Sequence, residues 1–541
     1  MASEFNSSGK TNGGGKRFRS TRACTSCRQM KMKCDRREKL PDRCTRCQET
    51  DSVCEISSTF KRQRMKGNID NEETRALRQE LEQLKSQVAS LAPQASSVDT
   101  PSTTLNKPSP VTVTWAPNFG LGAHPTIQRS AGDITLLSWH IDAAFATFFE
   151  KMHPLLPFVT ESPPNACYNR EPFLFWTICT LGLRSVAPDL AHALSPFVSA
   201  EALDAPRRSC HNQAAATAVI QALLLLSLWP FKSPSLLHET VWLHCGSATH
   251  LARHIGLHHP HSASEFTPKE RRAHIPALVT EFRRTWIACY IMDSLVSFAR
   301  GYPSTIRADF NLIEYTESSA AQLSISPDLF KFLLIARRIE EGQDLGSPHT
   351  VQYGHLDPPT RGPIYDLLQS RVRKVETRIT PLSPYMDLFL MATKLLPALQ
   401  VLQSTSPIAL QETTILSAFG YANQLINDAR LVQSTTDMVH LPVFVDGLVL
   451  ISALLVFKIQ ISVFSHLVDS QQAQNLISEA CTYYRNGIND FSTIPARLTI
   501  FMDGLHAMVS ENQLPVGGFI IENAKCHNSQ NILYEVRGTN S

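Results

Sequence analysis

The sequence predicts an all-α protein in three parts: a small metal-binding cysteine module, a short coiled coil and a large all-helical body. Three observations carry this expectation. Six of the thirteen cysteines crowd into residues 24–54. Shortly after them, leucines recur at alternating spacings of four and three. Beyond a stretch rich in Pro, Ser and Thr, long apolar-periodic segments broken by Pro and Gly dominate, with few of the alternating patterns that mark strands.

At 541 residues, 43% of them hydrophobic, the chain is long enough for a large core and more than one domain. The formal net charge of +3 hides an asymmetry. Between Lys16 and Lys66 stand sixteen Lys and Arg against six Asp and Glu, so the rest of the chain is net acidic. A basic head of this kind points to a polyanionic partner, nucleic acid first, although an import signal would share the same charge. The opening MASEFNSSGKTNGGGKRFRS has no apolar run, so no secretory leader is expected. Ala214 to Trp229, interrupted by Gln221, and Gly447 to Phe457, between Asp446 and Lys458, fall short of the ~20 residues a membrane span needs and are read as buried core helices. The seven cysteines outside the module show no pairing logic, as expected in a reducing interior.

Residues 1–20 are Gly, Ser and Asn rich and are expected to be disordered. The cysteine module occupies 21–56. A basic connector, 57–71, follows with Lys61, Arg62, Arg64 and Lys66. Residues 72–92 then place Leu77, Leu81, Leu84, Val88 and Leu91 on one heptad seam, with Leu77, Leu84 and Leu91 at d and Leu81 and Val88 at a. A lone amphipathic helix packed on its own domain would use the same spacing. The flanking charges favour a parallel dimer, because they set Glu73 opposite Arg78 and Glu80 opposite Lys85 of a partner helix. Pro93 closes this helix, and residues 93–133 read as a flexible linker. Residues 134–505 form the helical body, and 506–541 a tail without assignment.

The module spacing is C-x2-C-x6-C-x9-C-x2-C-x6-C, on Cys24, Cys27, Cys34, Cys44, Cys47 and Cys54. Disulfides are disfavoured in a reducing compartment. Iron–sulfur runs use other spacings, and ordinary zinc fingers take four ligands per ion and would leave two cysteines over. Two tetrahedral zinc ions need eight ligand positions, which six thiolates fill if two of them bridge. The arithmetic favours a binuclear zinc cluster with two Zn2+ per chain.

The segment ACTSCRQMKMKCDRREKLPDRCTRC closely resembles the fungal binuclear zinc-cluster transcription factors. It shares their C-x2-C-R opening, lysine-rich helix, C-D pair, loop proline and second C-x2-C. The resemblance implies that Cys24 and Cys44 bridge, that Cys27 and Cys34 complete one zinc site, and that Cys47 and Cys54 complete the other. It implies that Pro41 shapes the loop between the halves. It assigns Lys31 to reading a CGG triplet in the major groove of double-stranded DNA, where guanine offers O6 and N7. Lys33 and Arg28 would reach phosphate or the adjacent base. Arg36, Arg37 and the 61–66 connector would make backbone contacts that give affinity without sequence choice. Met30 stands where the family is often basic, which removes one contact. The charged second copy, with Glu49 and Asp51, would face away from phosphate. Three base pairs are too short an address, so a homodimer is expected to supply the second half-site. The x9 loop and the trailing FKRQR also look like the leucine-biosynthesis regulator subgroup.

Three later stretches resemble the regulatory middle region of the same family. They are FFEKMHPLLPFV (148–159), VWLHCGSATHLARHIGLHH (241–259) and FRRTWIACYIMDSLVSFARGYPSTI (282–306). In the last, Ile287 replaces a second Trp, and the end reads Ala299-Arg300-Gly301-Tyr302-Pro303. His250, His254 and His258 recur every fourth residue, but without H-E-x-x-H they are read as structural. Arg283, Arg284 and Asp293 are expected to form a buried ion pair. G-x-S-x-G, the P-loop and a complete G-x-G-x-x-G are all absent, so no enzyme is expected.

These readings converge on a nuclear, dimeric regulator of RNA polymerase II genes that also engages the transcription machinery or co-regulators, with no membrane role. Its size and divergent middle region resemble pathway-specific regulators of metabolite gene clusters. The competing readings are a zinc-cluster adaptor for protein partners and a metabolic enzyme with a zinc-bearing head. CGG-dependent binding distinguishes the first, and a catalytic constellation within 134–505 would be needed for the second.

Overall fold

The computed structural model describes residues 23–30, 33–35, 39, 41–56, 125–231, 240–266, 275–300, 304–344, 351–352, 355–356, 358–401, 408–487, 499–500 and 503–504. The chain divides into two compact units, Met1–Thr112 and Val113–Ser541. The five seam residues Leu77, Leu81, Leu84, Val88 and Leu91 lie outside the described residues, as do Lys31, Arg36, Arg37 and the 61–66 connector.

In the first unit, the cysteine module holds two short helices, α1 (Thr25–Met30) and α2 (Thr45–Glu49). Each begins directly after the first cysteine of its repeat. α2 ends on Thr50, and Asp51 takes a positive φ of 41°. The Ser52 N–H then reaches back to the Cys47 carbonyl at 2.9 Å. This left-handed closure turns the chain sharply enough to bring Cys54 back toward Cys44.

The second unit is helical, as the sequence predicts. Already at Pro125, inside the stretch read as linker, the chain is folded. A small antiparallel hairpin, β1 (Arg129–Ala131) with β2 (Ile134–Leu136), buries Ala131 and Leu136. α3 (Ser138–Thr147) runs into a π turn at Phe148–Met152 and a 3-10 turn at His153–Leu155. α4 (Pro164–Arg170), α5 (Pro172–Val186), α6 (Pro188–Ser209), α7 (Gln213–Leu228), α8 (Val241–His254) and α9 (Ile275–Arg300) follow. After α10 (Phe310–Glu317) and α11 (Ala320–Leu323) come α12 (Pro327–Asp344), a two-residue strand pair at 351–356, and α13 (Pro358–Ile379). α14 (Pro384–Val401), α15 (Ile408–Thr435), α16 (Val443–Gln460) and α17 (Ser470–Asn486) complete it. One hydrophobic core runs from Ala131 to Tyr484. Trp229, buried at the end of α7, donates its indole N–H to the His440 carbonyl at 2.8 Å and ties the two halves of this unit together.

The two apolar stretches are core helices. α7 is buried on every side, so its polar residues must find partners inside. Gln221 donates to Glu281 (3.1 Å) and to the Thr285 hydroxyl (3.0 Å), and Gln213 donates to the Ile255 carbonyl (2.7 Å). α16 has 18 residues with mean hydropathy 2.0, long and apolar enough to cross a membrane, yet 72% of that span is buried within the protein. Its one acid, Asp446, is pushed up to about 7 by burial and accepts the Tyr483 hydroxyl at 3.0 Å.

Gly447 of α16 borders an apolar cavity of about 50 Å³ lined by Leu295, Phe298, Ile339, Phe389 and Phe444. A Cβ added there meets nothing within 4 Å. Gly447→Ala should therefore stabilise the helical unit by about 1 kcal/mol, from helix propensity. A higher urea midpoint checks this, and an unchanged or lower midpoint contradicts it.

Two expectations about polar residues resolve differently. Asp293 forms no ion pair with Arg283 or Arg284. It accepts the backbone N–H of Thr305 and of Ile306, each at 2.8 Å, and so pins the chain that returns after α9. Arg284 donates to the Thr160 hydroxyl, and Arg283 to the Leu323 carbonyl at 2.8 Å. The buried acid facing α4 is Glu281, paired with Arg170 at 2.9 Å. An acid at 293 with arginines at 283 and 284 lies more than two turns away along α9, too far for direct pairing. The three histidines do not share a helix face, because α8 ends at His254. His250 and His254 are exposed, and His258 packs beside Trp286.

Candidate metal centre and nucleic-acid interface

Five of the six module cysteines are buried, and Cys34 is half-buried. In so small a unit they occupy the place a hydrophobic core would take. Their sulfurs are close but not bonded. Cys24 Sγ lies 3.9 Å from Cys44, 3.7 Å from Cys47 and 3.7 Å from Cys34, and Cys27 lies 3.8 Å from Cys44. A disulfide would bring two sulfurs to about 2.05 Å. A tetrahedral zinc ion with Zn–S bonds of about 2.3 Å sets its sulfurs about 3.8 Å apart. The observed spacing is that of zinc-tetrahedron edges. Cys24, Cys27, Cys44 and Cys47 all lie within 4.8 Å of one another.

Within this cage Cys24 and Cys44 are central. Cys34 touches the cage through Cys24 and Cys27. Cys54 sits against Cys44, Cys24 and Cys47. Burial holds the Cys24 and Cys27 thiols above the ordinary range and raises Cys47 to about 11. At Cys44 and Cys54 burial also acts upward, but donation from the backbone N–H groups of Cys47 and Cys44, respectively, brings them below it. Thiols gathered out of water with one arginine among them call for a cation. The donor set, all sulfur and tetrahedrally spaced, fits Zn2+.

The two arms differ in how their charge is spent. In the second arm, Arg43 is engaged by Asp51 at 3.0 Å, and Arg46 donates toward Cys27 Sγ at 3.8 Å. In the first arm, Lys33 is exposed, and Arg28 lies on α1, its side chain outside the description. The turn between the arms is closed by the Asp42 N–H donating to the Lys39 carbonyl at 2.6 Å across Pro41.

Sequence reasoning missed the groups that join the halves. Asp35 accepts the Thr45 N–H at 3.0 Å and the Thr45 hydroxyl, while the Thr25 N–H donates to the Glu55 carbonyl at 2.7 Å. The C-D pair was visible in the sequence, but its partner ten residues away was not.

Comparison with known proteins agrees with this geometry. Residues 22–64 match the model of the fungal Zn(2)-Cys(6) binuclear cluster domain. Residues 146–344 match that of the fungal specific transcription factor domain. The chain is 25% identical over 356 residues to the putative transcription factor SEF1 of Eremothecium gossypii, covering 64% of this chain and 32% of that protein. It is 26% identical over 383 residues to the regulatory protein LEU3 of Saccharomyces cerevisiae, covering 58% of this chain and 43% of that one. With the transcriptional regulatory protein SEF1 of Candida albicans it shares 22% over 544 residues, covering 87% of this chain and 57% of that one. The chain thus spans from about a third to a little over half the length of these curated relatives. No solved structure matches it. These domains and relatives are transcription regulators, not enzymes.

Proposed function

From a chain that carries a fungal Zn(2)-Cys(6) binuclear cluster domain, which binds two zinc ions, ahead of a fungal specific transcription factor domain, we infer a sequence-specific DNA-binding regulator of RNA polymerase II genes. The observation that carries the reading is a cage of cysteine sulfurs at the spacing of a zinc tetrahedron's edges, in a segment whose first half carries the basic residues. In this reading Cys24 and Cys44 bridge, Cys27 and Cys34 complete one site, and Cys47 and Cys54 the other. When bound, the ions supply the cohesion that so small a module cannot draw from apolar burial. The chain's own residues do the rest. The first half presents Lys31 to a CGG triplet and places Lys33 and Arg28 against phosphate or the neighbouring base, with Arg36 and Arg37 on the backbone. The second half, its arginines engaged internally, serves as the frame. Pairing through Leu77, Leu81, Leu84, Val88 and Leu91 joins two such heads, so that two triplets are read together. Action on RNA polymerase II genes implies a nuclear protein whose helical unit meets the transcription machinery or co-regulators.

Lys31→Ala tests the reading role. Binding to a CGG-containing duplex should weaken by about 10- to 100-fold, with the preference over a scrambled duplex largely lost. Lys33→Ala should instead weaken binding to both duplexes alike and lower the salt slope. An unchanged sequence preference in Lys31→Ala removes the base-reading assignment and favours an adaptor for protein partners.

A further inference from the structure

Each half of the cysteine module takes the anchor of its helix from the other half. A helix begins with backbone N–H groups that have no partner within the helix. Cys24, at the start of α1, has its sulfur in the cage, where it also accepts the Cys27 N–H at 3.5 Å. The N–H of the first helical residue still needs an acceptor, and in both halves it finds one across the module. Thr25 donates to the carbonyl of Glu55. Thr45 donates to the carboxylate of Asp35. Glu55 and Asp35 hold equivalent places, each directly after the third cysteine of its half.

The consequence falls on the first half. The segment from Thr25 to Asp35 carries Arg28, Lys31 and Lys33, and it is held at both ends by groups of the second half. Its first end is held by a backbone carbonyl, and its last end by a side chain that accepts twice from one threonine. Cys34 also fixes the last end through the cage, but one bond through sulfur leaves rotation about it. Two acceptor contacts from the next residue remove that freedom. Lys33 stands two residues away.

We propose that Asp35 is a positioning residue for DNA recognition: clasped to Thr45, it fixes the direction in which the basic arm leaves the metal cage. The proposal rests on the DNA-binding reading above. It also opposes simple electrostatics. An acidic side chain near phosphate weakens binding, so removing it for charge reasons alone would tighten the complex. A clasp predicts the reverse.

The test compares the full chain with Asp35→Ala, Asp35→Asn and Thr45→Val. Each is titrated with a CGG-containing duplex, and zinc per chain is measured by native mass spectrometry. Asp35→Ala should retain two zinc ions and bind DNA about tenfold more weakly. Asp35→Asn loses the same charge but keeps an acceptor for the Thr45 N–H, and should bind within about threefold of the parent. Binding by Asp35→Ala as tight as the parent or tighter overturns the proposal, as does Asp35→Asn falling as far as the alanine variant. If Asp35→Ala cannot hold zinc, Thr45→Val decides. Two zinc ions with binding about threefold weaker supports the clasp, and unchanged binding overturns it. A parent chain that ignores the CGG duplex would instead defeat the DNA-binding reading itself.

Discussion

Cys24→Ser is expected to empty the module of both zinc ions, whereas Cys54→Ser should still hold metal at saturating zinc. The difference follows from where the two sulfurs lie. Cys24 Sγ is 3.7–3.9 Å from Cys34, Cys44 and Cys47, so in a bridged cluster its loss strips a ligand from both ions at once. Cys54 flanks the cage beside Cys44, and its loss touches one ion. Structural zinc contributes on the order of 10 kcal/mol or more to modules of this size. Losing both ions should therefore unfold residues 23–56 and abolish DNA binding. Native mass spectrometry reads the outcome directly: two zinc ions in the parent, close to none in Cys24→Ser, and an intermediate value in Cys54→Ser. Equal retention of one zinc by both variants would overturn the bridging assignment, and iron in the parent would overturn the metal.

The largest effect in the helical unit is expected from Gly182→Ala. α5 crosses α3 at this residue, and a Cβ there would lie 2.0 Å from the carbonyl oxygen of Ala144 and within 2.8 Å of its Cα. The obstacle is backbone, so no side chain can swing aside, and the two helices must separate. Both are buried at the crossing, where Phe145, Phe148, Phe175 and Ile178 pack with almost no exposure. Overpacking of a close-packed core costs about 1–3 kcal/mol, and a backbone clash belongs at or above the top of that range. The roughly 1 kcal/mol of helix propensity that alanine gains over glycine is too small to offset it. The same substitution thus has opposite signs at Gly182 and Gly447, and urea unfolding of the two variants in parallel tests both. A Gly182→Ala protein as stable as its parent would mean that the helices do not approach this closely.

Much of this molecule can be read from its sequence because the decisive signals are local. The cysteine spacing states the ligand count, and the charge difference between the arms is visible within thirty residues. Gln221 interrupts an apolar run, yet α7 is still legible as a core helix, because the amide NH2 can find acceptors inside, here Glu281 and Thr285. What escaped is pairing between distant residues. Asp293 looks like the partner of two nearby arginines, and only the folded chain shows it holding Thr305 and Ile306. Gly182 looks like any helical glycine until Ala144 is placed against it. Asp35 belongs to a recognisable C-D pair, but its work depends on Thr45 in the other half. The hairpin at 129–136 was hidden for a simpler reason: its strands are three residues long, too short to show alternation.

The character of α16 also bears on how the chain is made. Synthesis proceeds from the N-terminus, so this helix emerges with its earlier neighbours α9, α14 and α15 already available, but before α17, which covers it through Tyr483 and Tyr484. Until then the face that α17 will cover, on an 18-residue segment with the hydropathy of a membrane span, is left open to water at the ribosome exit. Chaperones and degradation factors bind such segments. A premature stop between residues 460 and 470 would make that exposure permanent, turning a core helix of the finished protein into a signal for clearance.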